Sequence, residues 1–575
     1  MNPLFHRVRG LLFTGAVSLY LAVSSIALAQ STNRQIGTQL TVTADPVIPR
    51  PHSKPCTVQL FTSYQFAFFS DTTQNFPFTP PAGCPGPWSK VVFEADFSEN
   101  AGVQFDRTAS MFLGNANIYF GTTPEPLTNA TNTWHVERDV TDYSALFNAP
   151  QQGTIVLGNC TTDCPAPYNT FLNGVFTVSA RLQFYPAQGH RSDTPDVVLP
   201  LVQPTNGGFN LPAYVFTPTD QLTTTFTLPR NIERAYLDVV PESQSGDEFW
   251  YTCVPTALSG ELFSCGGTGF RETEVSVDGQ PAGVAPVSPW IYTGGIDPYL
   301  WFANPGVQTL DFVPYRVDLT PFAGFLDDGN PHTIALSVFN DNSYFAVSGT
   351  LLLFLDHDAT ALSGGITKNT LADAPAPAIT ENITTGSTTA GTVNVTSNRS
   401  FTISGFLHTS HGRISTTVSQ HLHFANNQSF NITSTVYVQN INQSTDVFST
   451  TSVARSDERP VTTVRNFHFP LVVDISQVSE SNGNTSLTTT ARQTYEVQSF
   501  GNGDDAGSLS FVKNSGHHQD TLEFDPNFNL LGNSNQSASQ QYLSGGSDGR
   551  FYDCQIAVKN NTLTKVSSGC TPGKD

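Results

Sequence analysis

Between Gly246 and Asp278 the chain concentrates carboxylates, aromatics and an arginine: Gly246-Asp247-Glu248-Phe249-Trp250-Tyr251, then Gly269-Phe270-Arg271-Glu272, then Val275-Ser276-Val277-Asp278-Gly279. Acid/base work needs carboxyl groups of unequal proton affinity, and sugar binding needs flat apolar faces with hydrogen-bonding rims. The segment holds the residue types for both. Glu248 is the candidate proton donor, because apolar neighbours such as Phe249 and Trp250 raise a carboxyl pKa. Asp247 is a candidate substrate-binding residue, with capping of the turn after Gly246 as its structural alternative. Arg271 is a candidate for substrate binding and Trp250 for stacking on a sugar ring, while Asp278-Gly279 reads as a hairpin turn.

A second cluster precedes it, with Phe105-Asp106-Arg107, Thr122-Thr123-Pro124-Glu125-Pro126 and Trp134-His135-Val136-Glu137-Arg138-Asp139. Asp106 is the candidate for activating water. It abuts Arg107, whose fixed fork binds a carbonyl or an oxyanion and depresses a neighbouring pKa; a surface ion pair is the plainer alternative. Glu125 is a third candidate catalytic carboxylate, restrained by Pro124 and Pro126, although Pro-Glu-Pro also describes an exposed loop. Trp134 is the second candidate ring platform, and both tryptophans are equally compatible with a core. The two clusters fall in different expected domains, so a shared site would lie at their interface, where ligand sites tend to form.

Further on come Tyr292-Thr293-Gly294-Gly295-Ile296-Asp297-Pro298, Asp318-Leu319-Thr320-Pro321-Phe322 and Asp327-Asp328-Gly329-Asn330-Pro331-His332. With these motifs in this order, the chain resembles the A type of peptide-N4-(N-acetyl-β-glucosaminyl)asparagine amidases from about Val91 to Asp356, with a weaker echo over Ser400–Phe430. One departure stands out. That family usually places Gly-His-Gly before Asp-Asp-Glu-Phe-Trp, where this chain has Ser243-Gln244-Ser245-Gly246-Asp247. The resemblance implies hydrolysis of the amide between an asparagine side chain and the first N-acetylglucosamine of an N-linked glycan. Aspartate remains and the intact glycan leaves as a glycosylamine. It further implies that Asp106-Arg107 matches the Asp-Arg pair of the F type, that the sandwiches are jelly-roll-like, and that the partners are N-glycosylated peptides or glycoproteins. Carboxylates and an arginine can do this chemistry with no cofactor and no metal. Two other readings compete: a glycoside hydrolase cutting within the glycan, and a non-catalytic glycan-binding protein.

The elements that must position these residues read as β. From Lys90 to Phe97, Val91, Phe93, Ala95 and Phe97 share one face while Lys90, Glu94 and Asp96 share the other, the alternation of a half-buried strand. Val418, Gln420, Leu422 and Phe424 alternate likewise against Ser419, His421 and His423. The expected fold class is all-β: tandem antiparallel β-sandwiches and a further C-terminal β region. The expected divisions are a signal peptide at 1–29, a tail or linker at 30–55, sandwiches at 56–215 and 216–370, a linker at 371–378, and a Thr/Ser-rich β region at 379–575. His421 and His423 read as solvated strand histidines, and Gly545-Gly546-Ser547-Asp548-Gly549 as a loop rather than a nucleophile elbow.

His6-Arg7-Val8-Arg9, the apolar run after Gly10 and Ala27-Leu28-Ala29 together read as a secretory signal cleaved before Gln30. A secreted or extracellular location follows, periplasmic in a bacterium, with no membrane association after cleavage. Cys56/Cys84, Cys160/Cys164, Cys253/Cys265 and Cys554/Cys570 read as four local disulfides. With 26 basic against 47 acidic residues and no basic cluster, nucleic acid is not an expected partner. Scarcity of amines also suits work at low pH, where carboxylates neutralise and repulsion stays small.

Overall fold

The computed structural model describes residues 34–187, 193–205, 208–456, 458–502 and 508–570. The expected signal segment lies outside these residues. The first sandwich uses β1 (Cys56–Phe66), β2 (Thr73–Phe78), β3 (Trp88–Glu99), β4 (Thr108–Leu113), β5 (Ala116–Thr122), β6 (Asn132–Asp139), β7 (Gln151–Leu157) and β8 (Phe176–Pro186). These form two antiparallel sheets, ordered β1-β8-β3-β6 and β2-β7-β4-β5. The alternation of β3 explains the packing: Val91, Phe93, Ala95 and Phe97 enter the core with Met111, Ile118 and Val178. On its other face Glu94 and Asp96 are bound by Arg181 at 2.5 and 2.8 Å.

The second sandwich uses β9 (Val197–Pro200), a small hairpin of β10 (Gln203–Thr205) and β11 (Gly208–Asn210), β12 (Ala213–Val215), β13 (Leu222–Thr227), β14 (Ile232–Gln244), β15 (Glu272–Val277), β16 (Gln280–Pro286), β17 (Tyr315–Asp318), β18 (Pro331–Phe339) and β19 (Tyr344–Leu355). One sheet runs β12-β19-β14-β17 with β9 also on β19, and the other β13-β18-β15-β16. The apolar run ending β19 is buried on both faces. Leu351 and Leu353 point into the second core, while Leu352 enters the first. Because β9 and β12 already belong here, the second sandwich begins near Val197. The boundary expected between 215 and 216 therefore falls inside this sandwich.

An eleven-stranded antiparallel sheet completes the molecule. It comprises β20 (Ser363–Asn369), β21 (Ala378–Thr384), β22 (Thr389–Thr409), β23 (Gly412–Ile432), β24 (Val436–Arg455), β25 (Val461–Ser479), β26 (Thr485–Gly501), β27 (Ser508–Phe524), β28 (Leu530–Gly546), β29 (Phe551–Lys559) and β30 (Thr562–Val566). Since β20 and β21 both pair with β22, the expected linker at 371–378 is a connection inside this sheet, with Leu371 buried in the core. The inner face mixes apolar residues with amides that meet the second sandwich. Asn426, Gln439 and Gln428 donate to the successive carbonyls of Tyr251, Thr252 and Cys253 at 2.8, 3.1 and 2.9 Å, and Gln493 to that of Pro289 at 2.7 Å. Buried polar groups demand partners, and the backbone of the site's own loop supplies them.

The segment expected as a tail or linker is, over its described residues, a strap. Val42 N–H donates to the Ala303 carbonyl and Ala44 N–H to Gln540 Oε1, both at 2.7 Å. Arg50 binds Glu94 and Glu137 on the outer face of the first sandwich, both at 2.5 Å. The four cysteine pairs are bonded as their spacing suggests.

Candidate active site

A cavity of about 270 Å³ opens between the sandwiches, lined by Asp106, Arg107 and Asn159 from the first and Gln244, Glu248 and Tyr292 from the second. Asp106 and Arg107 lead into β4, Gln244 ends β14, and Glu248 follows a single 3₁₀ turn, Ser245–Asp247. That turn is fixed from below. Asp247 is fully buried, takes Arg271 Nε and Nη2 at 3.0 and 2.6 Å through Oδ1, and the Asn342 and Ser343 N–H groups at 2.8 and 2.6 Å through Oδ2. With its acceptors filled and no exposed surface, Asp247 positions Glu248 and does not reach a substrate. Arg271 is spent on Asp247 and on the carbonyls of Thr268 and Phe270. The expected substrate-binding roles of Asp247 and Arg271 are therefore corrected to scaffold roles.

Trp134 and Trp250 are corrected in the same way. Trp134 stacks on Phe97 at 5.1 Å inside the first core. Trp250 lies against Tyr251 and Phe424, where the second sandwich meets the C-terminal sheet. Neither offers a ring face to a ligand.

The Gly294 backbone N–H lies against the Asp106 carboxylate and favours its ionised form. A Cβ at Gly294 would stand 2.1 Å from Asp106 Oδ1 and 3.3 Å from Glu125 Oε1, so only glycine admits this approach. The same peptide thus marks where Asp106 and Glu125 converge. Burial pushes Asp106 up to about 6, against the pull of the Gly294 N–H and the Arg107 charge. Glu248 is pushed to about 8 by burial and then by the charge of Asp106. Glu125 also reaches about 8, through burial and the charges of Asp106 and Asp297. The site therefore holds one carboxyl that ionises near 6 beside two that stay protonated past neutrality, the separation that acid/base pairs require.

Arg107 Nη2 donates to Gln104 Oε1 at 2.7 Å, while its Nε has no partner among the described residues. That Nε is itself buried, so what Arg107 brings to the cavity it lines is the positive charge of its guanidinium, which favours a developing oxyanion.

Several members of the site escaped the sequence reading. Glu99, buried with neither oxygen partnered among the described residues, is pushed to about 9 by burial and by Glu125, against Arg107. Glu242 is raised by burial and accepts from the Gln244 amide, while the Tyr292 hydroxyl donates to the neighbouring Ser243 carbonyl at 2.6 Å. Glu99 does carry a signal in the sequence: it occupies the core-facing register of β3, two residues past Phe97. Tyr292 and Gly294 lie in a loop with no period to betray them. A larger groove of about 560 Å³ lies between β17 and the C-terminal sheet, but its carboxylates are occupied, Asp318 by Thr451 at 2.9 Å and Glu233 by Arg455 at 3.7 Å. His421 and His423 sit outside the site, bonded to Ser400 and Asn398 at 2.7 Å each. Gly545 and Gly546 end β28 and Ser547–Gly549 turn towards β29, with no helix beside them.

A family model described as peptide N-acetyl-beta-D-glucosaminyl asparaginase amidase A matches residues 46–372, and one for the PNGase A C-terminal domain matches residues 392–471. The chain is 30% identical over 398 residues to peptide-N4-(N-acetyl-beta-glucosaminyl)asparagine amidase A of Prunus dulcis, covering 65% of this chain and 67% of that protein. Among solved structures it is similar to PNGF-II, with TM-score 0.36 and 14% identity over 53% of this chain and 66% of that one. It is also similar to PNGase F, a glycosylasparaginase from Flavobacterium meningosepticum, with TM-score 0.33 and 14% identity over 52% and 96%.

Proposed function

The chain belongs to the peptide N-acetyl-β-D-glucosaminyl asparaginase amidase A family, and from that premise we propose that the cavity between its sandwiches cleaves the side-chain amide of N-glycosylated asparagine, releasing the whole glycan as a glycosylamine. The observation that carries this reading is the pairing of Asp106, ionising near 6 beside Arg107, with Glu248, protonated to about 8, on one cavity.

Asp106, oriented by the Gly294 N–H, takes a proton from water as that water's oxygen bonds the carboxamide carbon. The positive charge of the Arg107 guanidinium, on the same cavity, stabilises the developing oxyanion. Collapse of the tetrahedral intermediate breaks the C–N bond while Glu248 gives its proton to the departing nitrogen. The peptide keeps a carboxylate, and the glycosylamine later loses ammonia in water. Glu125, beside Asp106 and neutral at pH 7, keeps a second negative charge away from the oxyanion. The missing Gly-His-Gly fits a site whose two proton transfers both use carboxyls, Asp106 as acceptor and Glu248 as donor. Export through the N-terminal segment belongs to the same proposal, supported by four disulfides suited to an oxidising compartment. Among the described residues no helix is long and apolar enough to cross a membrane.

Mass spectrometry of a defined N-glycopeptide after incubation with the purified protein tests this. Aspartate at the former glycosylation site with the glycan freed whole is the expected result. N-acetylglucosamine left on asparagine would establish a glycoside hydrolase instead, and an untouched substrate at every pH a glycan-binding protein.

A further inference from the structure

Two aromatic clusters with exposed rings adjoin residues that line the cavity, one on each sandwich. On the first sandwich, Phe105, Tyr168 and Phe171 contact one another in sequence at 5.8 and 5.9 Å beside Asp106 and Arg107. On the second, Tyr214, Phe216 and Tyr344 form a closed triad with centroids 5.7, 5.5 and 6.4 Å apart. Tyr214 is 38% and Phe216 54% exposed, a large apolar area to leave in water without a ligand.

Strand register ties the triad to the site. Tyr214 opposes Ala346 across β12 and β19, Ala346 opposes Glu242 across β19 and β14, and Tyr344 opposes Gln244. Directly opposed residues of an antiparallel sheet share a face, so one sheet surface runs from the triad to Glu242 and Gln244. Tyr344 Oη donates to Gln244 Oε1 at 3.3 Å, and Gln244 lines the cavity with Glu248. Burial and then the charge of Glu242 raise the phenols of both Tyr214 and Tyr344, and Glu248 adds to the effect on Tyr344. The triad stands on the wall of the acid.

The chemistry then gives each wall a different half of the substrate. Glu248 protonates the leaving nitrogen, and the sugar is what that nitrogen carries away. Asp106 and Arg107 act on the acyl carbon, which the peptide carries. We infer that Tyr214, Phe216 and Tyr344 form the platform for the N-acetylglucosamine next to asparagine and the sugar beyond it, while Phe105, Tyr168 and Phe171 face the peptide. A pyranose puts C–H groups on its flat faces and hydroxyls at its edge, which suits aromatic faces rimmed by two phenols and the Gln244 amide. This inference rests on the amidase reading, because that reading decides which wall meets the sugar.

The test is binding of N,N′-diacetylchitobiose by calorimetry, together with glycopeptide kinetics, on wild type and on Tyr214→Ala/Phe216→Ala. The expected result is an affinity loss of about tenfold, the scale of one lost aromatic contact. A KM rising by a similar factor, with the loss falling on KM rather than kcat, and rescue by Phe216→Trp are expected with it. Phe216→Ala alone, at the most exposed of the three rings, serves if the double variant fails to fold. Chitobiose affinity within twofold of wild type in these variants would overturn the inference. So would loss of that affinity on Phe105→Ala/Tyr168→Ala instead, or a wild type that does not bind chitobiose. A wild type that binds chitobiose through the triad yet cleaves no glycopeptide would overturn the amidase reading and leave the platform standing.

Discussion

At the scale of single residues, the site works by separating carboxyls that begin alike. The proposed mechanism needs Asp106 ionised and Glu248 protonated, so activity should rise with pH through about 6 and fall above about 8. This window sits above the acid range that scarcity of lysine suggests, because local burial and not net charge sets these two groups. A kcat/KM profile with a single limb below pH 5 would contradict it. Asp106→Asn keeps the shape and removes the base, and should lower kcat by about 10²–10⁴ with chitobiose binding retained; unchanged turnover would remove Asp106 from the mechanism. Asp247→Ala should act through folding. It strands the buried Arg271 charge at a cost of about 3–5 kcal/mol, seen as a lower unfolding midpoint. Asp106, Arg107, Glu125 and Glu248 were legible because acid/base chemistry advertises its residue types. Trp134 and Trp250 were misread because residue type alone does not say which face of a strand or turn a ring will take. Tyr214 and Phe216, which face out, have ordinary strand-end neighbours.

At the scale of elements, alternation made the strands legible and connections were not. Nothing periodic marks residues 34–55, yet this stretch runs along both the first sandwich and the C-terminal sheet, held at Arg50 by Glu94 and Glu137. His135 bridges Asp96 and Glu137 beneath it at 2.6 and 3.2 Å. Burial alone would lower His135, but its bonds to Asp96 and Glu137 outweigh that and hold it at about 9, against an ordinary 6.5. A raised histidine contributes stability that is complete below 6.5 and lost as pH climbs through 9. Burial works against Glu137, whose bonds to His135 and Arg50 pull it down to about 2, so its share is complete above 4.5 and lost as pH falls through 2. Melting curves of wild type and His135→Gln should thus differ most between pH 4.5 and 6.5 and converge as pH rises through 9. A constant difference across that range would exclude the network as the strap's anchor.

At the scale of the whole molecule, the second sandwich and the C-terminal sheet share one core. Phe401, Phe424 and Leu471 of the sheet pack with Trp250, Phe270 and Val275 of the sandwich. The sequence suggested separable domains because the Ala/Pro stretch at 371–378 has the composition of a linker, while the burial that contradicts it comes from strands far away in the chain. A protease that nicks the exposed stretch Ala372–Ala374 should therefore leave two pieces that co-elute in native chromatography and part only in denaturant. Separation without denaturant would show that the shared core is weaker than its contacts indicate. Gln428→Leu, which leaves the buried Cys253 carbonyl without its donor, should destabilise by about 1–3 kcal/mol, measurable by thermal unfolding.

Those amide contacts have an evolutionary consequence. Asn426, Gln439 and Gln428 read three successive main-chain carbonyls, and a carbonyl is the same whichever side chain it belongs to. The loop that carries Glu248 can accumulate substitutions at its solvent-facing positions and still find its seat, provided that Cys253–Cys265 keeps its path. Descendants of this chain are thus free to retune what the cavity accepts without any matching change in the large sheet behind it.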